Sequence, residues 1–133
     1  MSADVPSAVV QRIAIPGVNG TDTPPTPDAT GVVYPYTVAY FDGAPRSSDR
    51  ESDDRVQEEQ GFQTVTVGKS IAQVRMSRKR LVDALTDWRP EVTGRSCSKV
   101  EHDGSQPTRP DPAMPDRTLY IATDQWRVVS DPV

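Results

Sequence analysis

The chain has 133 residues, with 15 Lys and Arg against 19 Asp and Glu, a formal net charge of −4 at pH 7, which suits one domain of ordinary size rather than two. No stretch approaches the ~18 apolar residues of a membrane span, and the N-terminus lacks the basic start and apolar core of a secretory signal, so a soluble protein made in a cytosol is expected. A single cysteine excludes an internal disulfide framework, one cysteine with one histidine excludes a Cys/His zinc set, and the acidic balance argues against generic coating of nucleic acid, which depends on basic contacts to phosphate.

Leu, Ile, Val and Phe total 26 residues, just under the ~20% level at which strongly charged chains stay disordered; the low net charge keeps folding favoured. Seventeen of them are Val, a β-branched residue that fits a pleated sheet better than a helix, so a small core built around strands is expected. Thirteen prolines are about twice ordinary usage, and their clustering marks long loops.

In chain order, Val5, Val9, Val10 and Ile13 fall on one side of a helix over 3–15. Asp4 is its N-cap, and Pro6 sits in the first turn, where its missing N–H has no intrahelical partner in any case. Pro16-Gly17 ends it. Residues 18–31, with Pro24, Pro25 and Pro27, read as a Pro-rich arm without core-forming residues. Val32 to Phe41, VVYPYTVAYF, is the first strand, with Val33, Pro35, Thr37 and Ala39 on one face and Tyr34, Tyr36, Val38 and Tyr40 on the other; Pro35 puts its start at an edge or bulge. A long charged insert follows over 42–61, then a second strand, FQTVTV, from Phe62 to Val67.

Ser70 opens the main helix, with Gln73 placed to complete a capping box. Ile71, Val74, Leu81, Leu85 and Trp88 form its apolar stripe, interrupted by Ser77 and Arg78, and it stops by Arg89, before Pro90. A third strand from Gly94 to Asp103 and a fourth from Arg117 to Ser130 flank a Pro-rich loop over 104–116. The whole reads as one α+β domain over 1–133: a small sheet of about four strands packed by one main helix and a short N-terminal helix, with the long charged insert between the first two strands.

No nucleophile, acid/base pair or metal set is concentrated in the sequence, so no catalytic residue, cofactor or metal is expected. His102, in EHDG, reads as a solvated turn histidine and Cys97, in RSCSK, as a half-buried packing residue. The GKS at Gly68 to Ser70 lacks the glycine that the phosphate-binding pattern GxxxxGK[ST] needs at position 63, which is Gln. Two charge clusters stand out. Arg46 to Glu59, RSSDRESDDRVQEE, sets Asp49, Glu51, Asp53, Asp54, Glu58 and Glu59 against three arginines. Alone it is a water-exposed loop; facing the hole of a ring, the six carboxylates would line a negative channel that DNA passes without sticking. The main helix is basic, with Arg75, Arg78 and Lys79 on one side, which suits a solvated face, a subunit or partner contact, or DNA.

The order of a short helix, the strand VVYPYTVAYFDG, a charged insert, the strand-to-helix run GFQTVTVGKSIAQVRMSRKRLVDAL and the closing RPEVTGRSCSKVEHD with a final strand resembles the tail terminator proteins of long-tailed bacteriophages, in the actinobacteriophage style, over roughly Val5 to Val129. The YPY of the first strand, the strand running through Thr64, Thr66 and Val67 into the helix from Ser70, and the RPxVxGR bridge from Arg89 to Arg95 carry the likeness. The resemblance implies a structural, non-enzymatic virion protein, assembled in the host cytoplasm. It would form a homo-oligomeric ring, a hexamer, on the head-proximal end of the tail tube, end tube polymerisation and meet neck or connector proteins. Genome DNA would pass through without specific binding, and no membrane would be involved. No binding residue is mapped by the resemblance. The competing readings are a head-completion or connector protein of the neck, which four strands disfavour because such proteins are often more helical; a DNA-binding module using the basic helix 70–88; and a small enzyme built on His102.

Overall fold

The computed structural model describes residues 2–25, 31–41, 46–47, 57–111 and 119–133. Asp4 caps α1 (Val5–Ile13) by accepting the Ser7 N–H at 2.8 Å, with Pro6 in the first turn. The face that α1 buries is Val5, Ala8, Val9 and Ile13, close to the stripe expected from spacing. Beyond it the chain does not run off as an arm: Val18 is fully buried in the core, and β1 (Gly20–Thr21) pairs in parallel with β2 (Tyr36–Phe41). Regular pairing of the first predicted strand begins only after Pro35, which has no N–H to give a ladder. Residues 26–30 of the predicted arm lie outside the described residues.

The sheet holds eight strand segments among the described residues, not about four. β3 (Arg46–Ser47) and β4 (Glu58–Gly68) pair antiparallel, Arg46 opposite Glu59, so both ends of the charged insert predicted over 42–61 belong to the sheet. The remaining segments are β5 (Glu91–Val92), β6 (Arg95–Cys97), β7 (Glu101–Pro110) and β8 (Tyr120–Pro132). Strand β8 is the spine. It pairs antiparallel with β4 from Glu58↔Ser130 to Gly68↔Tyr120, and its other edge takes β7 and then β6. The third predicted strand is thus two strands, β6 and β7, and the predicted Pro-rich loop over 104–116 is strand as far as Pro110. Two register shifts, at His102/Gly104 and Gln106/Arg109, absorb the irregularity around Pro107. Residues 112–118 lie outside the described residues.

Ser70 caps α2 (Ile71–Leu85): its hydroxyl accepts the Gln73 N–H at 3.1 Å, while the Gln73 side chain reaches back to the Lys69 N–H at 2.7 Å rather than to that of Ser70. The helix ends at Leu85, earlier than predicted, where Asp87 takes a left-handed φ of 60°. Trp88 therefore lies past the helix and packs under the Arg12 guanidinium, 5.4 Å from the ring centre. The buried stripe of α2 is Val74, Ser77, Leu81 and Leu85; Ile71, expected in it, is 41% exposed. Both helices cover one face of the sheet, and Val9, Ile13, Ala39, Phe62, Leu81, Leu85, Trp126 and Val128 meet there. The opposite face is mixed, with Val38 and Val67 buried and Tyr40 exposed. The mixed α+β layout agrees with the sequence; the strand inventory does not.

Candidate functional site

The helix-facing side of the sheet carries a buried polar strip as well as a core. Thr37 and Thr66 share a hydroxyl hydrogen bond of 3.2 Å, and the Trp126 indole N–H donates to the Thr64 hydroxyl at 2.9 Å. Directly across from Thr64 in the β4–β8 register lies Asp124, whose side chain is fully buried. Its carboxylate accepts from Arg78 Nε (3.1 Å to Oδ1, 3.0 Å to Oδ2) and from the terminal Nη2 at 2.8 Å, and its Oδ1 is 2.8 Å from His102 Nε2. The His102 ring in turn lies 4.5 Å from that of Trp126. One carboxylate thus ties α2, β7 and β8 together. Charge-assisted, two-pronged hydrogen bonding of this kind is what allows a carboxylate to sit out of water.

This strip explains the break in the apolar stripe of α2. Arg78 is there to meet Asp124. Ser77, one residue earlier, is buried with a hydroxyl that makes no hydrogen bond among the described residues. His102, expected as a solvated turn residue, is instead a strand residue hydrogen-bonded to a buried acid, and the corresponding signal in the sequence is parity. In YIATDQWRVV, Asp124 alternates with Ala122, Trp126 and Val128, all core-facing.

A histidine oriented by a carboxylate is half of a general-base arrangement, but among the described residues no hydroxyl or thiol hydrogen-bonds the imidazole. Neither does any group of three His, Cys, Asp or Glu there come together to hold a metal ion. Cys97 packs in the core, where burial pushes its thiol pKa up, although Arg95 and Arg89 pull the other way. That keeps it a poor nucleophile. No helix among the described residues is long and apolar enough to cross a membrane.

Arg75, Arg78 and Lys79, predicted on one side of the helix, line a groove of about 590 Å³ between α2 and β7, whose other wall includes Ser105, Gln106 and Thr108. Arg78 is held by Asp124, which leaves Arg75 and Lys79 as the groove's outward cations; neither makes an ion pair among the described residues. Of the predicted acidic channel lining, Asp49, Glu51, Asp53 and Asp54 lie outside the described residues, while Glu58 and Glu59 belong to β4. Glu59 sits 3.8 Å from Arg127, which also makes a 2.7 Å ion pair with Glu101. The Glu101 carboxylate, the largest influence on Arg127, raises the guanidinium pKa further.

No family model matches the chain, and no curated protein matches it. Among solved structures, a chain from the virion of a native gene transfer agent particle superposes with a TM-score of 0.65 at 13% sequence identity, over 94% of this chain and 92% of that one. The two chains share a fold. Because the superposition spans nearly all of both, it concerns the complete arrangement of sheet and helices rather than a local motif.

Proposed function

We propose that the chain is a structural protein of a phage-like virion, acting as a ring-forming terminator on the head-proximal end of a tail tube. The observation that carries the reading is the whole-chain likeness to a chain of the gene transfer agent virion, which points in the same direction as the resemblance of the element order to tail terminators. The fold offers surfaces suited to assembly. Among the described residues, one face of the sheet is only partly covered, and β7 is solvent-exposed along its length, with no strand on its outer edge. Such an edge is normally blunted or covered, and copies related by rotation can cover it in a closed ring. Tube, neck proteins and passing DNA would then be the neighbours of that ring.

The neck-connector reading draws on the same virion likeness, and the strand-rich architecture favours the tail. The DNA-binding reading is weakened by Asp124, because with Arg78 taken only Arg75 and Lys79 remain outward in the groove, enough for a salt slope of only about −2. The deciding experiment adds labelled protein to tail tubes from a lysate that lacks it, with the label located by negative-stain microscopy. Label at one end, with tube lengths becoming uniform, supports the terminator; label along the tube or nowhere refutes it.

A further inference from the structure

We propose that the groove between α2 and β7 receives the carboxylate-rich stretch 49–54 of a second copy of this chain, a contact that rests on the ring reading above and gives it a chemistry. The groove offers two kinds of unmet valence. Arg75 and Lys79 present positive charge without a counter-ion among the described residues, and the outer edge of β7 offers backbone groups that no strand there pairs. Ser105, Gln106 and Thr108 add neutral polar side chains along the same wall. An extended acidic peptide satisfies all three at once: carboxylates for the cations, a backbone for the strand edge, and polar atoms for the wall.

The chain itself carries such a peptide. Asp49, Glu51, Asp53 and Asp54 stand against Arg50 alone between positions 49 and 54, a local charge of −3 in a chain of net charge −4, while Glu58 and Glu59 are held in β4. Topology favours a contact between copies over one within a chain. The groove is built on β7, along one edge of β8, whereas the acidic stretch enters the sheet through β4, on the opposite edge. Glu59 is opposite Val129 and Gln106 is opposite Thr123, six residues apart along β8, about 20 Å before the width of the strands is added. The ten residues between Ser47 and Glu58, going out and back, reach about 20 Å at most. A chain's own stretch therefore falls short of the Gln106 end of its groove, while the His102 end, opposite Trp126, lies nearer. Joining the groove of one copy to the acidic stretch of the next is a head-to-tail contact, the type that closes into rings.

The test joins carboxylates to amines with a zero-length carbodiimide cross-linker in an equal mixture of 15N-labelled and unlabelled full-length protein at low salt. The expected product is Lys79 linked to a carboxylate of 49–54 in mixed-isotope pairs. In sedimentation velocity, Arg75→Glu with Lys79→Glu weakens self-association about tenfold, Asp53→Lys with Asp54→Lys does the same, and all four changes in one chain restore it. Lys79 cross-links confined to single chains, absence of mixed-isotope links, or failure of the fourfold variant to recover overturns the contact. Association unaffected by any of the reversals, as expected if the carboxylates line a channel instead, overturns it too. The terminator reading fails separately: wild-type protein that caps tubes without these cross-links loses the contact and keeps the reading, and protein that cross-links but does not cap does the reverse.

Discussion

The Arg78–Asp124 pair predicts an asymmetry that a simple count of lost hydrogen bonds does not. Replacing Arg78 by Met leaves a carboxylate with 0% side-chain exposure facing only His102, whereas replacing Asp124 by Asn leaves a guanidinium that is 31% exposed and can still be hydrated. Orphaning a buried charge costs about 3–5 kcal/mol, and the surviving His102 contact puts Arg78→Met near the lower end, at about 3 kcal/mol. Asp124→Asn keeps an acceptor for Arg78 and loses one charge-assisted bond, costing about 1.5 kcal/mol. With an unfolding entropy of about 2.1 cal/mol/K per residue, these correspond to melting temperatures lower by about 10 °C and 5 °C. The double variant carries neither Arg78 nor the Asp124 charge and should lie close to Asp124→Asn alone, a coupling of about 3 kcal/mol. Urea unfolding followed by tryptophan fluorescence measures all three, with Trp126 placed beside the network. If Arg78→Met costs no more than Asp124→Asn, or if the two add within about 0.5 kcal/mol, the carboxylate is not buried in the way described.

Ser77→Ala removes a buried hydroxyl without a partner among the described residues and improves helix propensity, so melting should be unchanged or raised, by up to about 1 kcal/mol in stability; a clear loss would show that the hydroxyl is satisfied in solution. Leu81→Asp places an unpaired charge in the core and should leave no folded protein by circular dichroism. Asp4→Ala should cost about 1 kcal/mol at pH 7. The Ser7 hydrogen bonds lower the Asp4 pKa from its ordinary 3.8, so the cap contributes fully above that value and fades as pH falls through the lowered one. Denaturation curves of wild type and Asp4→Ala therefore converge in acid.

What was legible in the sequence is what local chemistry decides. Asp4 and the Ser70–Gln73 pair mark both helix starts because a cap needs only the residues beside it, and β4 is readable because its alternation is driven by one buried face. Strand β7 was invisible for the opposite reason. EHDGSQPTRP has no apolar alternation, since neither of its faces is buried, and its prolines read as a loop. The prolines are tolerated because the outer edge needs no ladder N–H among the described residues and a register shift falls between Gln106 and Arg109. Its pairing is dictated by β8, whose partners lie 10 to 26 residues further on, so that most of the ladder is outside any local window. Short β1 and β3 are likewise created by the partner strand, and Val18 is buried in the common core cluster rather than by any pattern of its own.

The same absence of apolar anchors gives the buried carboxylate its structural importance. A strand normally keeps its place through side chains pressed into the core, yet along β7 every residue but Thr108 is exposed, and backbone pairing to β8 is interrupted twice. His102 is the residue of β7 seen both to hydrogen-bond a buried side chain and to stack on a buried ring. Asp124 holds it there, and Arg78 caps the buried Asp124 carboxylate with three hydrogen bonds. The polar strip thus substitutes for a hydrophobic anchor in a chain poor in large apolar residues, fixing β7 against α2 at one point. That point is also where the two walls of the basic groove meet, so the stability of the Arg78–Asp124–His102 network and the shape of the proposed docking groove are set by the same three side chains.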